Sequence, residues 1–316
     1  MSLNNYRLKK IKGDASFRKF YRKSFNKKNS IIVYADKEKE KNLLVYDSIN
    51  KILNKNNVKA PKLIKENYNL NYIEIEDLGK KTMFNFLKKK PKDFKYFKQA
   101  IDLLSKVQKN KNKKIKNFKN KIYSVPEYSK KILFKESELF CKWYIPSIFN
   151  KNKKEVFNKK LKIEIKKAIT KLKLRNNTFV HRDFHVSNII MNKNKISLID
   201  NQDALIGNKA YDLASIIDDV RFKTSVKTKN KIFDYYLYKN KKINYLDLKN
   251  DFEILSVLRN LKIIGIFKRL AVRDKKFNYL KMIPYTWKLI ELRIKNNNNL
   301  KKLNELLSDY FPKQIK

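Results

Sequence analysis

The chain has 316 residues, 42% of them hydrophobic and 13% aromatic, a globular composition long enough to bury a core in one large or two modest domains. The formal net charge is +47, yet only ten of the 77 basic residues are arginine, and the lysines spread along the whole chain among Asn and Ile, whose codons are A/T-rich. A base bias accounts for that mixture, and groove readers favour the bidentate arginine fork. No dedicated nucleic-acid partner is therefore expected, and no apolar run approaches the ~18 residues of a membrane span.

Residues 11–35 are predicted to form two strands. The first stretch opens on the turn Gly13-Asp14-Ala15-Ser16, whose backbone N–H groups and Ser16 hydroxyl suit a phosphate. A polar loop over 26–30 leads into Ile31-Ile-Val-Tyr-Ala35, a strand by β-branched content. An amphipathic helix over 37–54 follows, with Leu43, Leu44, Ile49, Ile52 and Leu53 on its apolar side. Val58–Ile64 breaks that helix and starts a strand, and Asn71–Gly79 alternates as another. Glu76-Asp77-Leu78-Gly79 reads as a linker between lobes.

Helices are expected from Thr82 onward, over 93–108, 127–144 and 155–174, with a solvated lysine- and asparagine-rich loop at 109–121. Trp143 is expected in the core. Further helices are predicted from Gly207, over 229–238, over 247–270 around the Arg259-Asn260 pair, and over about 276–295 and 299–310. The four glycines, Gly13, Gly79, Gly207 and Gly265, are few. Average usage of ~7% would give about 20, so those retained are candidates for positions that backbone geometry requires. The single Cys141 excludes an internal disulfide and suits a reducing cytosol, and the first residues lack the apolar core of a secretory signal, so a cytoplasmic protein is expected.

One stretch interrupts the helices. Both histidines of the chain lie in His181-Arg-Asp-Phe-His185, and Asp183 and Asn188 are spaced D-x-x-x-x-N. Two short strands, Ile189-Ile-Met191 and Ile196-Ser-Leu-Ile199, are joined by Asn-Lys-Asn-Lys, a hairpin turn. Antiparallel pairing would bring Asn188, at its entry, and Asp200, at its exit, to the same end. Phosphoryl transfer needs a carboxylate at the attacking hydroxyl and oxygen ligands for a nucleotide-bound magnesium. Asp183 suits the first role, Asn188 and Asp200 the second. His181 and Arg182 fit a scaffold role, and His185 stands open between scaffold and substrate contact. Zinc binding by His181 and His185 is disfavoured, with no helix, third ligand or neighbouring cysteine.

His-Arg-Asp-Phe-His-Val-Ser-Asn188 with the following Asp200 resembles the signature of the aminoglycoside phosphotransferase and choline kinase-like superfamily. Gly13-Asp-Ala-Ser-Phe-Arg18, Glu76–Gly79, Asp200-Asn-Gln-Asp203, Tyr211-Asp212-Leu213 and Arg259–Phe267 look like one branch of it, the bacterial anomeric kinases of N-acetylmuramate and N-acetylglucosamine. The motifs run from residue 13 to about 290. The resemblance implies an α+β, protein-kinase-like two-lobe fold. It has a small antiparallel β N-lobe with one main helix (1–78) and a larger, mainly helical C-lobe with a catalytic hairpin and the sugar site (79–316).

The resemblance also implies ATP and Mg2+ as cofactors, an amino sugar as substrate and a place in cell-wall sugar recycling. Asp183 would be the base, and Asn188 and Asp200 the metal ligands. Gly13, Asp14, Ser16 and Arg18 would cover the phosphates, and Glu76 would border the adenine. Asp212 would brace the catalytic loop, and His185, Asp203, Arg259 and Asn260 are candidates for the sugar. Alternatives are a kinase of the same fold for choline, homoserine or an aminoglycoside, or a non-catalytic basic binding module. The chain departs from the pattern twice. Ile31–Ala35 lacks the strand lysine that pairs with phosphates, and Asn201 stands where the branch has Phe.

Overall fold

A computed structural model describes residues 7–11, 18–26, 28–35, 41–91, 93–192 and 195–315. They gather into two compact units, one ending at Pro126 and resuming over His181–Ile206, the other formed by Glu127–Val180 and Gly207 onward.

The first unit begins with strands β1 (Arg7–Ile11), β2 (Lys19–Phe25) and β3 (Lys28–Tyr34), then helix α1 (Lys41–Lys55) and strands β4 (Leu63–Asn67) and β5 (Tyr72–Glu76). They form a five-stranded antiparallel sheet in the order β1-β2-β3-β5-β4. In β5 the buried residues alternate, Ile73 and Ile75 inward against Glu74 and Glu76, the period of a strand with one covered face. Ile31, Val33 and Ala35 join them against Leu43 and Tyr46 of α1. Burying one such side chain fully contributes about 1.5–3 kcal/mol, so this face anchors the helix.

Helices α2 (Met83–Lys89) and α3 (Lys95–Gln108) follow, then a small hairpin of β6 (Lys114–Lys116) and β7 (Ile122–Ser124). That hairpin corrects the expectation of a solvated loop over 109–121. Its turn is closed by Asn117, whose Oδ1 accepts the N–H groups of Lys119 and Lys121, while Asn120 takes φ 56°. Strand β1 is likewise an addition to the sequence reading. Its four lysine-rich positions are exposed, so no apolar alternation marks it.

The second unit opens with α4 (Lys130–Ser137), α5 (Lys151–Thr170) and β8 (Thr178–Val180). The helix expected over 127–144 is broken: α4 ends at Ser137, and Phe140–Tyr144 forms a single wide π turn before Pro146. The chain then supplies the hairpin strands β9 (Ile189–Asn192) and β10 (Lys195–Leu198) to the first unit. Strand β11 (Leu205–Gly207) and helices α6 (Ala210–Ile217), α7 (Val226–Lys239), α8 (Tyr245–Asp274), α9 (Ile283–Ile294) and α10 (Lys301–Tyr310) complete the order.

Helix α8 has 30 residues, about 45 Å at 1.5 Å per residue, and is buried nearly all round over Asp251–Leu261. A Cβ at Gly265 would stand 2.3–2.6 Å from the backbone of Leu139 and Phe140, so two main chains meet here and only glycine fits. Trp287 is the fully buried tryptophan, packed with Phe140, Tyr144 and Phe311, whereas Trp143 is half-buried. Among the described residues no helix is long and apolar enough to cross a membrane.

Candidate active site

The hairpin after Asn188 pairs as the spacing predicts. Strands β9 and β10 pair antiparallel with Ile189 opposite Leu198. The Ile199 N–H donates to the Asn188 carbonyl (3.0 Å), so the residues before Asp200 are tied to Asn188 itself. Further backbone bonds, Leu198 N–H to the Lys59 carbonyl (2.9 Å) and Met191 N–H to the Lys81 carbonyl (2.9 Å), fasten the hairpin to the rest of its unit.

The loop before the hairpin is closed on itself. The Asp183 carbonyl accepts the His185 N–H (3.0 Å) and the Asn188 Nδ2 amide (3.0 Å), and the His185 carbonyl accepts the Asn188 N–H (2.9 Å). Asn188 thus spends its Nδ2 on the loop, which leaves its Oδ1 as the atom suited to a cation. His185 is buried, its Nε2 3.4 Å from Asn188 Nδ2. Arg182 and Asp200 both take left-handed backbone conformations, φ 74° and φ 63°. Each costs about 1–3 kcal/mol in a residue with a side chain and persists only where its surroundings over-determine it.

Around Asp200 charges converge. Arg18, its side chain 5% exposed, places Nη2 3.6 Å from Asp200 Oδ1, with its guanidinium 5.9 Å from the centre of the Tyr46 ring. The Gln202 Nε2 amide donates to Asp200 Oδ1 (3.0 Å) and to Asp203 Oδ2 (2.8 Å), bridging two carboxylates. The Asp203 carbonyl accepts Arg182 Nη1 (3.0 Å). Withdrawal from water raises the proton affinity of Asp200, Arg18 opposes this, and the neighbouring Asp183 and Asp203 carboxylates raise it again. Its side chain keeps 41% of its surface open, so the effect is one of crowding by protein and like charge rather than of sealing.

At the end of β5, both Glu76 carboxylate oxygens accept Lys59 Nζ (2.6 Å each). Its neighbour Asp77 is gripped by Arg22 at 2.5 and 3.0 Å and by the Gly79 N–H at 2.9 Å. Burial alone would raise the Asp77 carboxyl, but these donors hold it below the ordinary carboxylate range. The expected phosphate-covering residues Gly13, Asp14 and Ser16 lie outside the described residues. Arg18, Glu76, Asp183, His185, Asn188, Asp200 and Asp203 all fall in the first unit, and Arg259 and Asn260, on α8, fall in the second. Arg259 and Asn260 are 4% and 1% exposed, and Arg259 Nη1 and Asn260 Oδ1 have no hydrogen-bond partner among the described residues.

Sequence reasoning passed over Arg22, Tyr46, Asn50 and Gln202. The signal for Tyr46 and Asn50 was present: their i, i+4 spacing places both on one face of α1. The partner of Asn50, Asn201, lies 151 residues on.

The profile of the phosphotransferase enzyme family matches residues 7–245, and the chain belongs to that family. It is an enzyme of the kinase type. Two relatives are named N-acetylmuramate/N-acetylglucosamine kinase. The one from Neisseria meningitidis serogroup B is 24% identical over 280 residues, covering 86% of this chain and 80% of the relative. The one from Pseudomonas aeruginosa is 25% identical over 314 residues, covering 93% and 86%. Among solved structures, a spectinomycin phosphotransferase in complex with ADP and spectinomycin superposes with a TM-score of 0.55 at 16% identity, covering 98% of this chain and 93% of that one. The fold is thus the protein-kinase-like one, with its five-stranded antiparallel sheet and mainly helical remainder.

Proposed function

We propose that this chain is an ATP- and Mg2+-dependent kinase that phosphorylates the anomeric hydroxyl of an N-acetylated amino sugar, N-acetylmuramate or N-acetylglucosamine, in cytoplasmic recycling of cell-wall sugars. The observation that carries the chemistry is the linked set Asp183, Asn188 and Asp200: one acid on the loop, one amide at the hairpin entry, one acid at its exit, joined by the Asn188 side-chain bond to Asp183 and the Ile199–Asn188 backbone bond. The names of the relatives carry the choice of sugar.

In this reading Asp183 accepts the proton of the sugar O1 hydroxyl as that oxygen attacks the γ-phosphorus in line, and the bond to the β-phosphate oxygen breaks to release ADP. Asn188 Oδ1 and Asp200 fit Mg2+, which takes one or two carboxylates and completes its shell with water and phosphate oxygens. The bound ion would neutralise charge developing on the phosphates. Arg18 answers the missing strand lysine: it is a guanidinium held beside Asp200 and suited to phosphate oxygens. The lobe of residues 1–78, with Gly13, Asp14, Ser16 and Glu76, would hold the nucleotide. His185 and Asp203, in the same unit as Asp183, stand as sugar contacts.

The test is phosphate-31 NMR of products from ATP, Mg2+ and a panel of N-acetylated amino sugars, choline, homoserine and aminoglycosides. An anomeric sugar phosphate is expected. A 6-phosphate, a non-sugar product or no product overturns the reading. Asp183→Asn should fold normally and turn over about a thousandfold more slowly; a variant as fast as the parent removes Asp183 as the base.

A further inference from the structure

At residue 201 an asparagine stands between two residues of the site, and its surroundings explain it. The Asn201 side chain is fully buried. Its Nδ2 amide donates to Asn50 Oδ1 (2.8 Å) and to the Leu198 carbonyl (3.1 Å), and its Oδ1 lies 2.9 Å from His181 Nε2. Both amide hydrogens and the oxygen are thereby engaged, which is what a buried amide requires.

The directions of these bonds follow from one fact. The Asp183 N–H points at His181 Nδ1 (3.2 Å), so Nδ1 accepts and the ring proton sits on Nε2. From Nε2 it donates to Asn201 Oδ1, with the Ile199 carbonyl also 3.2 Å away. A directed chain of hydrogen bonds therefore runs from the Asp183 amide through His181 and Asn201 to Asn50 on α1. Asn50 lies one turn after Tyr46 on α1, and Tyr46 carries the Arg18 guanidinium on its ring. An apolar side chain at 201 would fill space but leave Nε2–H only the longer contact to the Ile199 carbonyl and Asn50 no donor.

We infer that Asn201 and Asn50 are positioning residues for Asp183: they hold His181 in the one tautomer whose Nδ1 anchors the Asp183 backbone, and so couple the catalytic loop to helix α1. The kinetic part of this inference rests on the proposed kinase reading. The tautomer does not.

The chain has only two histidines, so ring-nitrogen NMR of the 15N-labelled full-length protein contains two imidazoles, assigned with His185→Gln. His181 should show a proton on Nε2 and an unprotonated Nδ1; a proton on Nδ1 in the wild type overturns the inference. Asn201→Leu and Asn50→Leu should mix the tautomers of His181. Each should lower kcat about tenfold, the effect of losing one neutral hydrogen bond of about 1.4 kcal/mol, with KM for ATP and sugar unchanged. Asn50→Asp keeps the acceptor for Asn201 and should recover most of kcat and the single tautomer. Leu variants that melt like the wild type and keep both its kcat and its His181 tautomer overturn the inference, as does an Asp variant no better than the Leu one. Should Asn201→Leu fail to fold, the wild-type tautomer and the Asn50 pair decide. A wild type inert toward every sugar refutes the proposed function and leaves the NMR arm to judge the network.

Discussion

Asp200 and Asp218 are two acids at the ends of short apolar runs, and their surroundings treat them oppositely. Asp218, buried in the second unit, receives Arg293 through two bonds (2.9 and 3.0 Å), Lys229 at 3.1 Å and the Ser256 hydroxyl at 2.7 Å. Burial would raise its proton affinity, but Arg293 and Lys229 hold the carboxyl far below the ordinary range. Asp200 meets one guanidinium at 3.6 Å, two further carboxylates, an open surface and a raised proton affinity. An acid sealed with its own cations is a structural part. An acid crowded by like charge and left open is suited to a cation that arrives from outside.

Neutralising each acid should separate these roles. Asp200→Asn should leave the urea midpoint unchanged or slightly raised, because like-charge crowding is relieved. Steady-state turnover with ATP and Mg2+ should fall about a thousandfold, the several kcal/mol that metal-borne charge stabilisation is worth. A loss of stability without loss of turnover would break the comparison.

Asp218→Asn should do the reverse. It strands Arg293 and Lys229 in the interior and should cost about 3–5 kcal/mol in urea unfolding. Its carboxyl is depressed in the fold relative to the unfolded chain, so its contribution is fully present above the ordinary carboxylate range and is lost as pH falls from there through the depressed folded value. Wild-type stability should therefore decline below about pH 4, and Asp218→Asn should lack that part of the decline. Identical pH slopes for the two proteins would refute the assignment.

Gly265→Ala is a control that leaves both acids in place. Its methyl meets backbone at 2.3–2.6 Å, so α8 must shift, at about 1–3 kcal/mol or more by thermal melting. Arg18→Met should have the smallest effect, raising KM for ATP about tenfold, the worth of one charge-assisted contact, while folding is retained. An unchanged KM would remove Arg18 from the nucleotide site.

Much of this was readable beforehand. The hairpin was legible because a strand period of two and a four-residue polar turn leave one register, and that register puts Asn188 and Asp200 at one end. The helical remainder was legible from periodicity, although α8 showed only part of its buried face in apolar residues. Asp251 is interior because polar groups across the unit meet it: its carboxylate accepts the Lys173 and Leu174 N–H groups at 2.8 Å each, whereas the buried Arg259 and Asn260 give no apolar period to read. Strand β1 and the β6–β7 hairpin escaped because lysine-rich strands held by backbone bonds have no apolar pattern to read.

The sequence by itself determined the local geometry of the loop: Asp183, Asn188 and Asp200 lie within 18 residues, where chain connectivity alone limits how they can meet. Only the tertiary structure decided what stands around them. Arg18 reaches Asp200 from the far side of the sheet sequence, and Asn50 meets Asn201 across 151 residues, because packing α1 on β3 and β5 presents Tyr46 and Asn50 to the hairpin. Local spacing carries short-range geometry; partners brought together by burial of a shared apolar face leave no spacing in the chain to read.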